Sequence, residues 1–129
     1  MPGKKIDFDT VRKMALELSD VEESTAYGSP ALKIRGKLLT CIPIHKSAEP
    51  DSLAVSIDFE RRADLLAAAP DVYYLTDHYV NYPVVLVRLS RIHADALRGL
   101  LGVAWRVVRA KSSGGKRTVR KRSDSRSQK

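Results

Sequence analysis

The chain has 129 residues, 43% of them hydrophobic, and a single cysteine, which suits one globular domain and excludes a disulfide-stapled scaffold. No run approaches the ~18 apolar residues of a membrane span, and the start, MPGKKIDFD, lacks a signal peptide's hydrophobic core, so a cytoplasmic protein with no membrane partner is expected. The net charge of +8 is unevenly placed: residues 109–129 hold nine of the 23 Lys and Arg against one of the 15 acids, Asp124, and the remaining 14 of each sign leave residues 1–108 neutral.

In chain order, Val11, Met14, Ala15 and Leu18 recur at i, i+3, i+4 and i+7 and predict a helix from about Asp9 to Ser19, with Asp7 or Asp9 as its cap. Residues 19–25 read as a polar connector. The stretch from Gly28 to Ile44 reads as a central β-hairpin with Gly36-Lys37 at its tip, a type II′ turn in which Gly takes the positive φ. That register sets Arg35 opposite Leu38, Ile34 opposite Leu39 and Leu32 opposite Cys41, so Leu32, Ile34, Leu39 and Cys41 share one apolar face. The other face mixes Lys33, Arg35 and Thr40 with Leu38 and Ile42, a half-apolar surface that calls for a cover or a partner.

Residues 46–52 carry turn chemistry, and Leu53, Val55 and Ile57 alternate as a strand with one buried face. Asp58 caps a second helix, Phe59 to about Ala69, with Phe59, Ala63, Leu66 and Ala67 on one side and Pro70 as its stop. Asp71 to Thr76 and Val84 to Leu89 are β-branched and aromatic strands around a six-residue loop. The last helix, about His93 to Val108, buries Ala94, Leu97, Leu101, Ala104, Trp105 and Val108. Beyond it, residues 109–129 are Ser-, Gly- and Arg-rich and are expected to form a basic, disordered tail on a domain of residues 1–108. The order α-β-β-β-α-β-β-α predicts an α+β two-layer sandwich, a mainly antiparallel five-stranded sheet with three helices.

These elements carry Val21-Glu22-Glu23-Ser24-Thr25 followed by Tyr27-Gly28, then Ile34-Arg35-Gly36-Lys37-Leu38. Further on come Ala69-Pro70-Asp71-Val72-Tyr73-Tyr74-Leu75-Thr76-Asp77, Val85-Leu86-Val87-Arg88-Leu89, and Leu100-Leu101 with Ala104-Trp105. In the order and spacing of these pieces the chain resembles the MmcQ/YjbR family over roughly residues 8 to 108. The resemblance implies an α+β fold with protruding hairpin wings, DNA binding and no enzymatic activity. The better-known branch of that family has a loop rich in His, Lys and Trp where this chain has Asp77-His78-Tyr79-Val80-Asn81-Tyr82-Pro83, without Lys or Arg. Anionic contacts would then have to come from the tail.

The residues themselves show no metal spacing, no cofactor motif and no catalytic set. His45, His78 and His93 lie 33 and 15 residues apart. His78 beside Asp77 lacks a nucleophile to serve, and Cys41 on a buried face would stay a protonated thiol. Glu22-Glu23 reads as solvated charge. Lys33, Arg35 and Lys37, at i, i+2 and i+4, are candidate phosphate contacts, with Arg61, Arg62, Arg88 and Arg91 as additions. In the tail, Lys116, Arg117, Arg120, Lys121 and Arg122 are the stronger candidates for double-stranded DNA or another polyanion. Tyr27, Tyr74 and His78, with Lys37, are candidates for a cleft beside the hairpin. Of the aromatics Tyr73, Tyr74, Tyr79 and Tyr82, alternation puts Tyr73 and Tyr74 on opposite faces, one of them in the core. Two readings follow: a non-enzymatic DNA-binding protein whose tail grips phosphates without reading sequence, and a small-molecule or protein-binding module whose cleft lies beside the central hairpin.

Overall fold

The computed structural model describes residues 6–114. Its elements are α1 (Phe8–Leu16), β1 (Val21–Ala26), β2 (Ser29–Ile34), β3 (Lys37–Cys41), β4 (Ser52–Ser56), α2 (Phe59–Ala68), β5 (Tyr73–Tyr74), β6 (Val84–Arg88) and α3 (Ala94–Gly114). The sheet has six strands in the order β1-β2-β3-β4-β6-β5, every neighbouring pair antiparallel. The fold is thus the expected α+β arrangement of three helices and an antiparallel sheet, with one strand more than the five predicted.

The additional strand is β1, which pairs with β2 along its whole length, from Val21↔Ile34 to Ala26↔Ser29. Its sequence, VEESTA, read as a connector because an edge strand exposed on Glu22, Glu23, Ser24 and Thr25 shows no apolar alternation. Charged side chains there also discourage pairing with another chain.

The β2–β3 turn is centred on Arg35-Gly36 rather than Gly36-Lys37. Arg35 has φ 50° and Gly36 φ 84°, the double positive φ of a type I′ turn, whose twist matches the flanking strands. Tyr27 (φ 56°) and Gly28 (φ 81°) repeat the same geometry between β1 and β2. The expected register is corrected accordingly: Ile34 faces Lys37, Lys33 faces Leu38, Leu32 faces Thr40 and Ala31 faces Cys41, with Leu39 as the extra residue of a bulge. A bulge moves every later side chain to the other face. Leu39 and Thr40 therefore join Leu32 on one side, where the Thr40 hydroxyl donates to the Ala54 carbonyl at 2.7 Å. Cys41 leaves that face and packs with Ala31, Ala54 and Leu86 on the other.

The helices cover the first face. Leu32, Ile34, Leu39, Leu53, Val55, Val85 and Val87 pack there against Val11, Met14 and Ala15 of α1 and Leu97, Leu101, Ala104 and Val108 of α3. The middle strand β4 is buried on both faces, Ser52 and Ala54 included, not on one alone. In α2 the inward stripe is Arg62, Leu65, Leu66 and Ala69, one step round from the predicted one. Phe59 is exposed at the start of that helix, and the Arg62 guanidinium lies over its ring at 4.7 Å.

Tyr73 is in the core and Tyr74 on the far face, as alternation required. Helix α3 runs to Gly114, six residues into the stretch assigned to the tail. Arg109, Ala110 and Lys111 are good helix formers, and Arg109 is held over the Trp105 ring at 4.8 Å and near Asp20 at 3.8 Å. Ala94 is exposed and Leu100 takes its place in the buried stripe. Trp105 is half-buried and donates through Nε1 to the Ser19 carbonyl at 2.8 Å. The candidate tail residues Lys116, Arg117, Arg120, Lys121 and Arg122 lie outside the described residues. Among those described, no helix is long and apolar enough to cross a membrane.

Candidate functional site

Among the described residues, no helix packs into the cluster on the second face of the sheet. Its buried side chains are mostly small, Ala31, Cys41 and Ala54 beside Leu86, so the loops following β3 and β5 close over it only partly. A cleft of about 860 Å³ results. Leu38, Cys41, Ala54 and Ser56 come from the strands. Ile42, Pro43, Ile44 and His45 line it from one loop, and His78, Tyr79, Tyr82 and Pro83 from the other. Ala26 and Lys37 both border it and face Ser29 and Ile34, five residues apart on β2.

The two loops are fastened by a ring cluster. His45 and His78 stack with centroids 3.6 Å apart and planes 8° from parallel, and Tyr79 meets both edge-on at 6.2 and 4.7 Å. The Ser47 backbone N–H donates to His45 Nδ1 at 3.1 Å, so that nitrogen is an acceptor and the neutral ring carries its proton on Nε2. Ser47 Oγ lies 2.8 Å from both Nδ1 and Thr76 Oγ1, tying the first loop to the second. Burial, then the neighbouring His78, then Lys46 lower the proton affinity of His45 below the ordinary imidazole value.

From the far side α2 holds the second loop. The buried Arg62 guanidinium donates to the carbonyls of Tyr82 at 2.7 Å, Val80 at 3.0 Å and Val84 at 3.3 Å. Tyr82 and Val84 themselves border the cleft. One buried cation thereby fixes the backbone of a cleft wall.

Of the residues singled out from sequence, Tyr27, Lys37 and His78 line the cleft, Tyr27 being 90% exposed. Tyr74 does not line it. Its hydroxyl accepts from the Glu49 N–H at 2.7 Å and lies 2.6 Å from Ser52 Oγ, while Arg88 sits over its ring at 4.4 Å and pairs with Glu49. Lys33, Arg35 and Lys37 do not form a row: Lys33 is half-buried opposite Leu38, and Arg35 sits in the turn 3.4 Å from Asp20. Arg61 pairs with Asp58 at 3.0 Å. His45, Ile44 and Ala54 were not assigned to the cleft from sequence, Tyr79 was considered only among the loop aromatics, and Cys41 was placed on the opposite face of the hairpin. The half-apolar hairpin face was the available signal, and the bulge hid which residues belonged to it.

Burial raises the Cys41 thiol, only partly countered by Lys33, so it is no thiolate nucleophile at neutral pH. Among the described residues no group of three or more His, Cys, Asp or Glu is placed to hold a metal ion.

No family model matches the chain. It is 46% identical over 41 residues to the uncharacterized proteins Rv2570 of Mycobacterium tuberculosis and Mb2600 of Mycobacterium bovis, a match that spans 32% of this chain and 32% of each relative. The crystal structure of Deinococcus radiodurans protein DR2400, described as a DUF419 domain, superposes with a TM-score of 0.69 over 87% of this chain and 85% of that one, at 21% identity. The two share a fold.

Proposed function

We propose that this chain is a non-enzymatic binding protein that takes a small molecule with a flat, apolar body into the cleft on the uncovered sheet face. The carrying observation is the cleft itself. Its 860 Å³ lies within the ~300–1,000 Å³ of ordinary small-molecule sites, and three of the six large exposed hydrophobics among the described residues, Tyr27, Ile44 and Tyr82, border it. Exposed apolar side chains gathered at one concavity favour a ligand over chance. The ring cluster supplies flat partners for a planar ligand. The single, buried cysteine accords with a reducing, cytoplasmic setting.

The test is fluorescence titration with N-phenyl-1-naphthylamine, a neutral planar probe. Wild type is expected to bind it, and Ile44→Asp, at a position 57% exposed and so tolerant of the change, is expected to bind about tenfold more weakly through lost apolar contact. Absent binding, or equal binding by both proteins, would overturn the reading.

A second reading rests on the charge partition, which puts the entire +8 in residues 109–129. In it the chain is a DNA-binding protein of the MmcQ/YjbR family, a membership supported by the order and spacing of its motifs and by the fold shared with DR2400. Lys116, Arg117, Arg120, Lys121 and Arg122 supply sequence-independent phosphate contacts, with Lys33, Arg35 and Lys37 secondary. If all five tail cations act, log affinity for a random duplex falls with log salt at a slope of about −4.5. The full chain with those five changed to Gln should then lose both the binding and the slope, and an undiminished affinity would end this reading.

A further inference from the structure

We propose that the ligand of the cleft is an anion: a flat apolar body bearing one sulfonate, carboxylate or phosphate group, held by the lysines at the rim. This inference rests on the cleft reading and adds the ligand's charge. Among the described residues, three lysines border the cleft, Lys37 at the start of β3, Lys46 in the loop after it and Lys111 on α3, and no Asp or Glu does. Val108, one turn before Lys111, also borders it while its side chain packs in the helical-face core, so the end of α3 forms a rim of the cleft.

Most of the cations elsewhere on the body are differently placed. Arg12, Arg35, Arg61, Arg88, Arg98 and Arg109 each lie within 4 Å of a carboxylate. Among the described residues, Lys37, Lys46 and Lys111 have no such partner, and all three are exposed. Lys33, Arg91 and Arg106 are likewise without a carboxylate partner among the described residues, but they are scattered over the body, whereas Lys37, Lys46 and Lys111 meet at one apolar concavity that no described carboxylate lines. The stacked imidazoles leave the cleft no negative charge of their own. A neutral ligand would use the apolar floor and leave all three ammonium groups idle, whereas an anionic head with an apolar body uses both. Lysine serves here as a point charge on a flexible stem, which suits a monodentate head group better than a fixed fork would.

The test compares two probes with one skeleton, 8-anilino-1-naphthalenesulfonate and N-phenyl-1-naphthylamine, which differ by the sulfonate. The full-length protein is expected to bind the sulfonate about tenfold more tightly than the neutral probe. In Lys37→Gln/Lys46→Gln/Lys111→Gln that advantage should vanish while affinity for the neutral probe stays within about twofold. Lys13→Gln, an exposed cation of α1, should change neither, and raised salt should weaken only the sulfonate. Equal affinity of wild type for the two probes overturns the charge inference and leaves the cleft reading standing. A sulfonate advantage that survives the triple change also overturns it, by placing the anion elsewhere. Failure of both probes to bind overturns the cleft reading and this inference with it.

Discussion

Replacing Arg62 with Met tests how the cleft wall is held. The change keeps an unbranched side chain and removes the guanidinium that serves three carbonyls at 2.7, 3.0 and 3.3 Å. A hydrogen bond to a charged group contributes ~1.5–3 kcal/mol, and the two shorter ones at the low end give about 3 kcal/mol. Two effects reduce this. Val80 and Tyr82 are exposed residues whose carbonyls can turn to water, and Met requires no desolvation of a charge, a cost that the burial-lowered proton affinity of Arg62 records. The expected loss is therefore ~2 kcal/mol. Urea denaturation should show it as a midpoint lowered by on the order of 1 M with m unchanged. Amide exchange should quicken first at Ile57, whose N–H donates to the Pro83 carbonyl at 2.9 Å. Arg62→Lys should fall between the two, since one ammonium cannot span three carbonyls. A stability change within about 0.5 kcal/mol for Arg62→Met would refute the clamp.

Three further expectations follow from the same geometry. His45 should titrate below the ordinary imidazole value of 6.5 by ring-proton NMR. Because the folded state binds that proton less readily than the unfolded chain, the ring's contribution to stability is complete above pH 6.5 and is lost as pH falls through the folded value. A midpoint at or above 6.5 would contradict it. Gly36→Ala places a side chain at φ 84°, and thermal unfolding should report a loss of ~1–2 kcal/mol, where an unchanged midpoint would argue against the type I′ turn. Cys41 should be alkylated by iodoacetamide far more slowly than a free thiol at pH 8 and at the free rate in denaturant; equal rates in both states would contradict its burial.

The helices were legible because apolar spacing of 3.6 survives in a single sequence: Val11, Met14 and Ala15, and Leu97, Leu101, Ala104 and Val108, are buried as the pattern required. What failed were places where backbone geometry outvotes composition. In α2 the pull of Phe59 on the assumed stripe hid an inward Arg62 whose charge is met by backbone carbonyls, partners that no side-chain pattern records. In β3 the extra residue Leu39 inverted the face of Cys41, and a bulge leaves almost no trace in a sequence of alternating sizes. The cleft was half visible. Leu38 and Ile42 on a face with Lys33 marked an incompletely covered surface, and Tyr27, Lys37 and His78 were picked as neighbours of it. His45 was not, since its partner His78 is 33 residues away and only the folded loops bring the rings together.

The measurement that bears most directly on the central claim is a backbone-amide NMR titration of the full chain with 8-anilino-1-naphthalenesulfonate. The account predicts saturable shifts gathered on Leu38, Cys41, Ile42, Ile44, His45, His78, Tyr79 and Lys111, with α1 and the exposed side of α2 unmoved. Shifts confined to the helical face, or none at saturating probe, would contradict it.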